Sequence, residues 1–337
     1  MKRFLPLFLA LALLLTGCAA VSTTESTSQT VSQVDSPSSA LESAAESASS
    51  QLESISITDS NGSQITLDTS APRVVAAYGS FAEAWLLAGG ELVGVTQDAL
   101  EQRDLGLPED IAVVGTVKEP NAEEIIALEP DLVLLASDIT TQAEIRDVLE
   151  NAGLACAFFQ VDTFADYAFM MEQLCAVTGR EDLYEENVTQ VGQQIEEAQA
   201  NAALSSTRPN VLLIRAFSTG IKAKTDDELA GAILKDLGAH NIADDHPSML
   251  EDLSLEEVIA ADPDYIFVTT MGDEQKALDY LYGLIQQNPA WSELSAVKED
   301  RYVVLPKDLF HYKPNNRWGE SYQYLGEILY PQLFHEE

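Results

Sequence analysis

The side chains with the most chemistry to offer are cations and rings set in a strongly acidic chain. The sequence has 18 Lys and Arg against 55 Asp and Glu, a formal net charge of −37. Without Lys2 and Arg3, in a segment read below as removed, 16 cations face 55 anions, or −39. Ten of those 16 lie beyond residue 209. Arg215, Lys222, Lys224, Lys313 and Arg317 fall there in or near expected loops, and Lys118 stands in an earlier one. Cations gathered inside an anionic protein suit an anionic guest, through charge-assisted hydrogen bonds. Tyr78, Phe81, Phe217 and Tyr312 supply rings for its apolar wall, beside Thr116, Asp138 and His311. The competing reading pairs each cation with a surface carboxylate and has Arg317 cap the helix after it.

Other chemistries find little support. His240, His246, His311 and His335 show no metal-site spacing, so neither a bound metal nor a cofactor is expected. A Gly-x-Ser-x-Gly elbow, a phosphate-binding glycine loop and a His-Glu-x-x-His helix are all missing from the sequence. An exported α/β hydrolase is therefore the weaker alternative, and the chain is not read as an enzyme. The negative charge argues against nucleic acid and against lying on an anionic membrane. Cys156 and Cys175 leave a disulfide open.

An internal repeat shows what must position these residues. NAEEIIALEPDLVLL at 121–135 and SLEEVIAADPDYIFV at 254–268 lie 133 residues apart and share six of fifteen positions. Asn121 or Ser254 starts a helix, with Glu124 or Glu257 three residues on, as in a capping box. Pro130 or Pro263 ends it, and an apolar strand follows. Strands are expected at 74–77 and 211–214, followed by helices from about Phe81 to Gly89 and from about Glu228 to Gly238. A loop is expected through Lys224. The fold is read as α/β: two similar lobes with central, mostly parallel sheets and a ligand cleft between them. The lobes span 54–180 and 205–337, joined by one long helix at 181–204.

The first residues belong to export. Lys2 and Arg3 precede an apolar run from Phe4 to Leu15, too short to span a bilayer, which needs about 20 residues. Residues 1–17 are read as a signal peptide. Leu15, Thr16, Gly17 and Cys18 resemble the bacterial lipobox, which implies that Cys18 is lipidated. From 18 to 53 the chain is rich in Ser, Thr, Gln, Glu and Ala and lacks aromatic residues, so it should form a disordered tether.

Pro72-Arg73-Val74-Val75, the run AGGELVGV at 88–95, Val114-Gly115 and both Glu-Glu…Pro-Asp blocks together resemble the class III substrate-binding proteins of ABC importers. The resemblance covers the whole domain after the tether. It implies an extracytoplasmic, lipid-anchored carrier of a ferric siderophore or similar anionic iron chelate. Haem or cobalamin is the alternative within the family, and Trp85 would then join Tyr78 and Phe217 around cobalamin. Thr116, where haem carriers of the family often have tyrosine, weakens haem. The resemblance further implies a partner permease with its cytoplasmic ATPase, docked through Glu123 and Glu256, one on each lobe. Membrane contact would run through the lipid alone, and the protein would act as a monomer. Because Cys18 offers the only thiol in its segment, Cys18→Ala should yield an unlipidated protein. Detergent partitioning and the mass of the mature N-terminus check this, and unchanged values for both refute it.

Overall fold

The computed structural model describes residues 54–251, 253 and 255–334. The signal peptide at 1–17, Cys18, the tether at 18–53, the Ser254 cap and His335 lie outside the described residues.

The first sheet has five parallel strands, in the order Ala112–Val113, Leu92–Val95, Val74–Ala76, Leu132–Ala136, Ala155–Phe159. Leu132–Ala136 is buried at every position, because helices cover both faces and leave no polar side to alternate with. Val74, Ala76, Leu132 and Leu134 join one apolar cluster, and Val75, Val133 and Leu135 join another. The second sheet is built on Asn210–Phe217. Tyr265–Thr270 and then Tyr302–Val304 run parallel on one side, and Gly220–Lys224 runs antiparallel on the other. The loop expected through Lys224 is thus a strand. Ser218 and Thr219 turn between the paired Phe217 and Gly220, and Ile221 and Ala223 alternate with Lys222 and Lys224 in a period-2 pattern only two repeats long.

The inner-face cluster is continuous across both sheets. It runs from Val74 and Leu132 through Val191 and Ile195 to Val211, Phe267, Phe310 and Trp318. Each large apolar side chain so buried contributes about 1.5–3 kcal/mol. Residues 181–203 are helical throughout, but with a change of hydrogen bonding. An α-helix at Glu181–Tyr184 widens to a π turn at Glu185–Thr189 and tightens again at Gln190–Ala203. The π turn carries Asn187, whose side chain donates to Leu183 O at 3.0 Å and Leu87 O at 3.2 Å. Its Oδ1 accepts from Asn316 Nδ2 at 3.0 Å, so the connector is bonded to both flanking regions at its widened turn.

Both copies of the repeat use the same aspartate clamp. Asp131 N–H donates to Arg73 O at 2.8 Å, and its Oδ2 accepts from Arg73 N–H at 2.7 Å. Asp264 does the same with Asn210, at 2.8 Å in each direction. Each clamp ties the start of one strand to the start of its neighbour. Asn121 caps its helix through Glu123 N–H at 3.0 Å and Glu124 N–H at 3.3 Å. The reciprocal half of the expected capping box gives way to a backbone contact, because the Asn121 N–H donates to Val114 O at 2.8 Å. A full capping box forms instead at Thr163 and Asp166. Cys156 and Cys175 are free, buried thiols, which closes the disulfide question. Burial pushes them up to about 12 and about 11.

The helix of each repeat exits through a left-handed residue, Glu129 at φ 47° and Asp262 at φ 43°. The following proline bars continued α-helix there. A residue with a Cβ carries about 1–2 kcal/mol of strain in this conformation. Asp262 alone offsets it, because its carboxylate accepts from Ser295 N–H at 2.8 Å and Ser295 Oγ at 2.7 Å, capping Ser295–Lys298. Glu129→Gly should therefore raise stability slightly, whereas Asp262→Gly should lower it by losing the cap. Urea unfolding should separate the two variants by about 1 kcal/mol; equal shifts contradict this account.

Candidate functional site

The carboxyl ends of both sheets, where open α/β sheets bind ligands, gather most of the expected site residues, with Tyr78, Lys118 and Tyr312 on turns and loops and Arg215, Phe217, Lys222 and Lys224 on strands. The first sheet contributes Tyr78, Asp98, Asp138 and Asp162, each just past a strand. The second contributes Phe217 and, beyond Tyr302–Val304, Lys307, His311 and Tyr312. Their charges act on one another. The Tyr78 phenol is pushed up to about 12, first by burial and then by Asp138 and Asp98, against the pull of Arg103. Tyr312 is raised by burial and Glu274, and the same Arg103 opposes the rise. His311 is lowered to about 4 by burial, Arg215 and Lys307, so its imidazole is neutral at neutral pH.

Direct bonds join the two sets of loops. Arg103 Nη2 donates to Lys313 O at 2.9 Å, and its other nitrogen pairs with Glu83. Lys313 Nζ donates to Asp162 Oδ1 at 3.0 Å. Burial would raise the Asp162 carboxyl, but Gln160 and Lys313 outweigh it and hold the carboxyl below its usual range.

The expected cations are largely engaged by carboxylates of the chain. Arg215 pairs with Glu228, and its Nε reaches Thr269 Oγ1 at 3.5 Å. Lys224 Nζ lies 2.9 Å from Glu228 and 3.4 Å from Asp227. Burial opposes the Lys224 charge, but these two carboxylates more than compensate and raise its pKa. Lys222 faces Arg215 across the hairpin, is exposed, and has no ion-pair partner among the described residues. Arg317 is held by Asp308 at 2.6 Å and forks onto Glu320 at 2.7 and 2.8 Å. It braces the first turn of Trp318–Leu329, which is the structural role weighed against binding.

The rings divide likewise. Phe81 is 1% exposed and packs against Tyr78 at 5.2 Å, so it supports the cleft rather than lining it. Trp85 is also buried, with its N–H donated to Glu91 O at 2.8 Å. Tyr78, Phe217 and Tyr312 keep partial exposure, and the Tyr312 ring lies 5.3 Å from His311. Lys118 is exposed on the Gly115–Thr116/Glu119–Pro120 hairpin. That hairpin is placed by a residue the sequence did not advertise. Gln142 is fully buried and donates to Ala77 O at 2.7 Å and Val117 O at 2.8 Å while accepting from Ala136 N–H at 2.7 Å. Arg103, Asp162 and Glu228 were likewise unmarked, since no local pattern announces their distant partners.

Glu123 and Glu256 are exposed in the first turns of Ala122–Ala127 and Leu255–Ala261. Their neighbour Glu257 is engaged with the Ser248 hydroxyl. Among the described residues no group of His, Cys, Asp and Glu could hold a metal ion, and no helix is long and apolar enough to cross a membrane.

Comparison with known proteins agrees with this geometry. Residues 74–309 match the family described as periplasmic binding protein. The chain is 26% identical over 270 residues to the Fe(3+)-citrate-binding protein YfmC of Bacillus subtilis, covering 77% of this chain and 81% of that protein. The periplasmic binding protein FepB of Veillonella parvula superposes with a TM-score of 0.68 at 20% identity, over 83% of this chain and 91% of that one. IsdE of Staphylococcus aureus, complexed with heme, superposes at 0.63 with 19% identity, over 77% and 99%. The chain belongs to the periplasmic binding protein family, the extracytoplasmic substrate-binding proteins that serve ABC transporters.

Proposed function

We propose that the protein captures an anionic ferric chelate, of the siderophore or citrate kind, and delivers it to an ABC permease. The observation that carries this reading is the placement of Arg215, Lys222 and Lys224 on one face of the hairpin at the carboxyl end of the second sheet, inside a chain of net charge −37. A chelate supplies its own donors to iron and turns its residual negative charge outward, toward such cations. The Fe(3+)-citrate specificity in the name of the B. subtilis relative fits that chemistry. The same reading has the protein act as a monomer tethered through a lipid on Cys18 outside the membrane, with Glu123 and Glu256 docking onto the permease.

Haem is the second reading, and His311 favours it. Its imidazole is neutral, as a nitrogen ligand to iron requires, and no hydrogen bond among the described residues occupies its ring nitrogens. Cobalamin is the less favoured guest, since Trp85 is buried away from the cleft.

Fluorescence titration of the intact protein in detergent separates these guests. Arg215→Ala should weaken ferric citrate or ferric siderophore binding at least about tenfold, as expected for a lost charged hydrogen bond. The loss should be larger at low salt than at high. Tight haem or cobalamin binding that ignores both salt and Arg215→Ala would overturn the chelate assignment. For docking, Glu123→Ala and Glu256→Ala should leave ligand affinity within about twofold while lowering uptake, because an interface charge pair is lost. Normal uptake by the double variant, in cells lacking other binding proteins, rules the docking role out.

A further inference from the structure

Glu228 stands at the N-cap of Leu229–Asp236 but does not cap it. Its backbone is extended, at φ −116° and ψ 145°, and its side chain makes no hydrogen bond to the first turn. Glutamate is not among the side chains that favour this position. Helix formation therefore does not explain the residue. Instead Oε2 accepts from Arg215 Nη2, and Oε1 lies 2.9 Å from Lys224 Nζ. All three side chains are sheltered, with exposures of 15% for Arg215, 23% for Lys224 and 17% for Glu228. The turn before the helix is packed tightly on it, since a Cβ on Gly231 would meet Thr225 O at 1.9 Å.

Guanidinium and ammonium are the donors that a guest carboxylate would need, and a carboxylate of the chain already fills them. The trio sums to one positive charge, which Asp227 beside Lys224 offsets, and Lys222, directly across from Arg215, supplies the uncompensated one. The geometry points to Glu228 as a built-in counter-ion that occupies the anion subsite of Arg215 and Lys224 until a guest of higher charge displaces it from Arg215. This deepens the anionic-chelate reading and rests on it for the identity of the guest. A monoanion exchanges one charge for one and competes against an intramolecular carboxylate of high effective concentration. A polyanion takes Arg215 with one group and keeps another for Lys222. Glu228 thereby sets the least charge a guest must carry, and so acts as a specificity-determining residue.

Calorimetric titration of the intact protein in detergent, with iron-free citrate and with acetate at low salt, tests the assignment. Glu228→Gln removes the charge and should tighten citrate binding at least about tenfold and make acetate binding measurable. The gain should shrink at high salt, where the longer-range attraction between the cluster and a guest in solution is screened. Glu228→Asp keeps the charge, draws the carboxylate back from its two partners, and should tighten citrate by a smaller factor. Thermal unfolding of each variant shows whether it is folded, and Glu228→Asp decides the question if the Gln variant is not. Citrate affinity equal to or weaker than wild type in the folded variants overturns the counter-ion role, and is what a purely structural Glu228 gives. If wild type binds no ferric chelate while Glu228→Gln still gains citrate, the chelate reading fails and the counter-ion stands.

Discussion

The placement of both halves of the cleft depends on one buried carboxamide. Asn315 is fully buried and sits in the left-handed region at φ 52°, a conformation that asparagine tolerates better than most residues. Its Nδ2 donates to Ser80 O at 2.9 Å and to Glu83 Oε2 at 2.6 Å, and Ser80 Oγ donates to its Oδ1 at 3.3 Å. Glu83 also holds Arg103, which reaches on to Lys313 O. Helix Gly79–Leu87 and the turn Asn315–Arg317 are thereby locked together. Tyr78, just before that helix, and Tyr312, just before that turn, inherit their positions from the lock. A polar group buried without such partners carries a penalty of about 1–3 kcal/mol, so these bonds specify one arrangement of the loops.

Electrostatics then divides the surface into two kinds of charge. Glu123 and Glu256 are exposed at helix starts, where a carboxylate is favoured by the helix dipole and free to meet a partner. The cleft cations are sheltered and mostly matched by carboxylates of the chain, because a partly buried charge left unpaired is costly. Lys222 escapes this rule by remaining in water. An anion arriving at these cations would therefore exchange partners with them more than fill an empty positive pocket. Discrimination among guests would then follow from charge and geometry, since a guest would have to do better than the carboxylate it replaces.

The two repeats show how one local design diverges under different surroundings. Asp131 and Asp264 make the same pair of backbone bonds at the same place in their sheets. The left-handed residues before the prolines are also equivalent, yet only Asp262 found a second use, as the cap of Ser295–Lys298. Gln142 and Gln275 occupy equivalent positions and differ more. Gln142 is buried and binds three backbone groups, whereas the Gln275 side chain, among the described residues, bonds to Asp279 on its own helix. The first repeat thus holds the hairpin Gly115–Thr116/Glu119–Pro120 in place through Gln142.

The amino-acid sequence alone determined the two α/β halves, the caps and the helix ends, because each rests on spacing over a few residues. Capping at Asn121, the stops at Pro130 and Pro263, and the buried run Leu132–Ala136 are all local physics. The strand at Gly220–Lys224 was missed because its alternation of Ile221 and Ala223 with two lysines is only five residues long, and pairing with Leu213–Phe217 is what makes it a strand. Tertiary structure alone decided which charges meet. Arg103 and Lys313 are 210 residues apart, Lys313 and Asp162 are 151 apart, and Ser80 and Asn315 are 235 apart. With 55 carboxylates available to each cation, composition names the kind of partner but not the individual. Only the folded chain, by bringing Glu228 between Arg215 and Lys224, selects one.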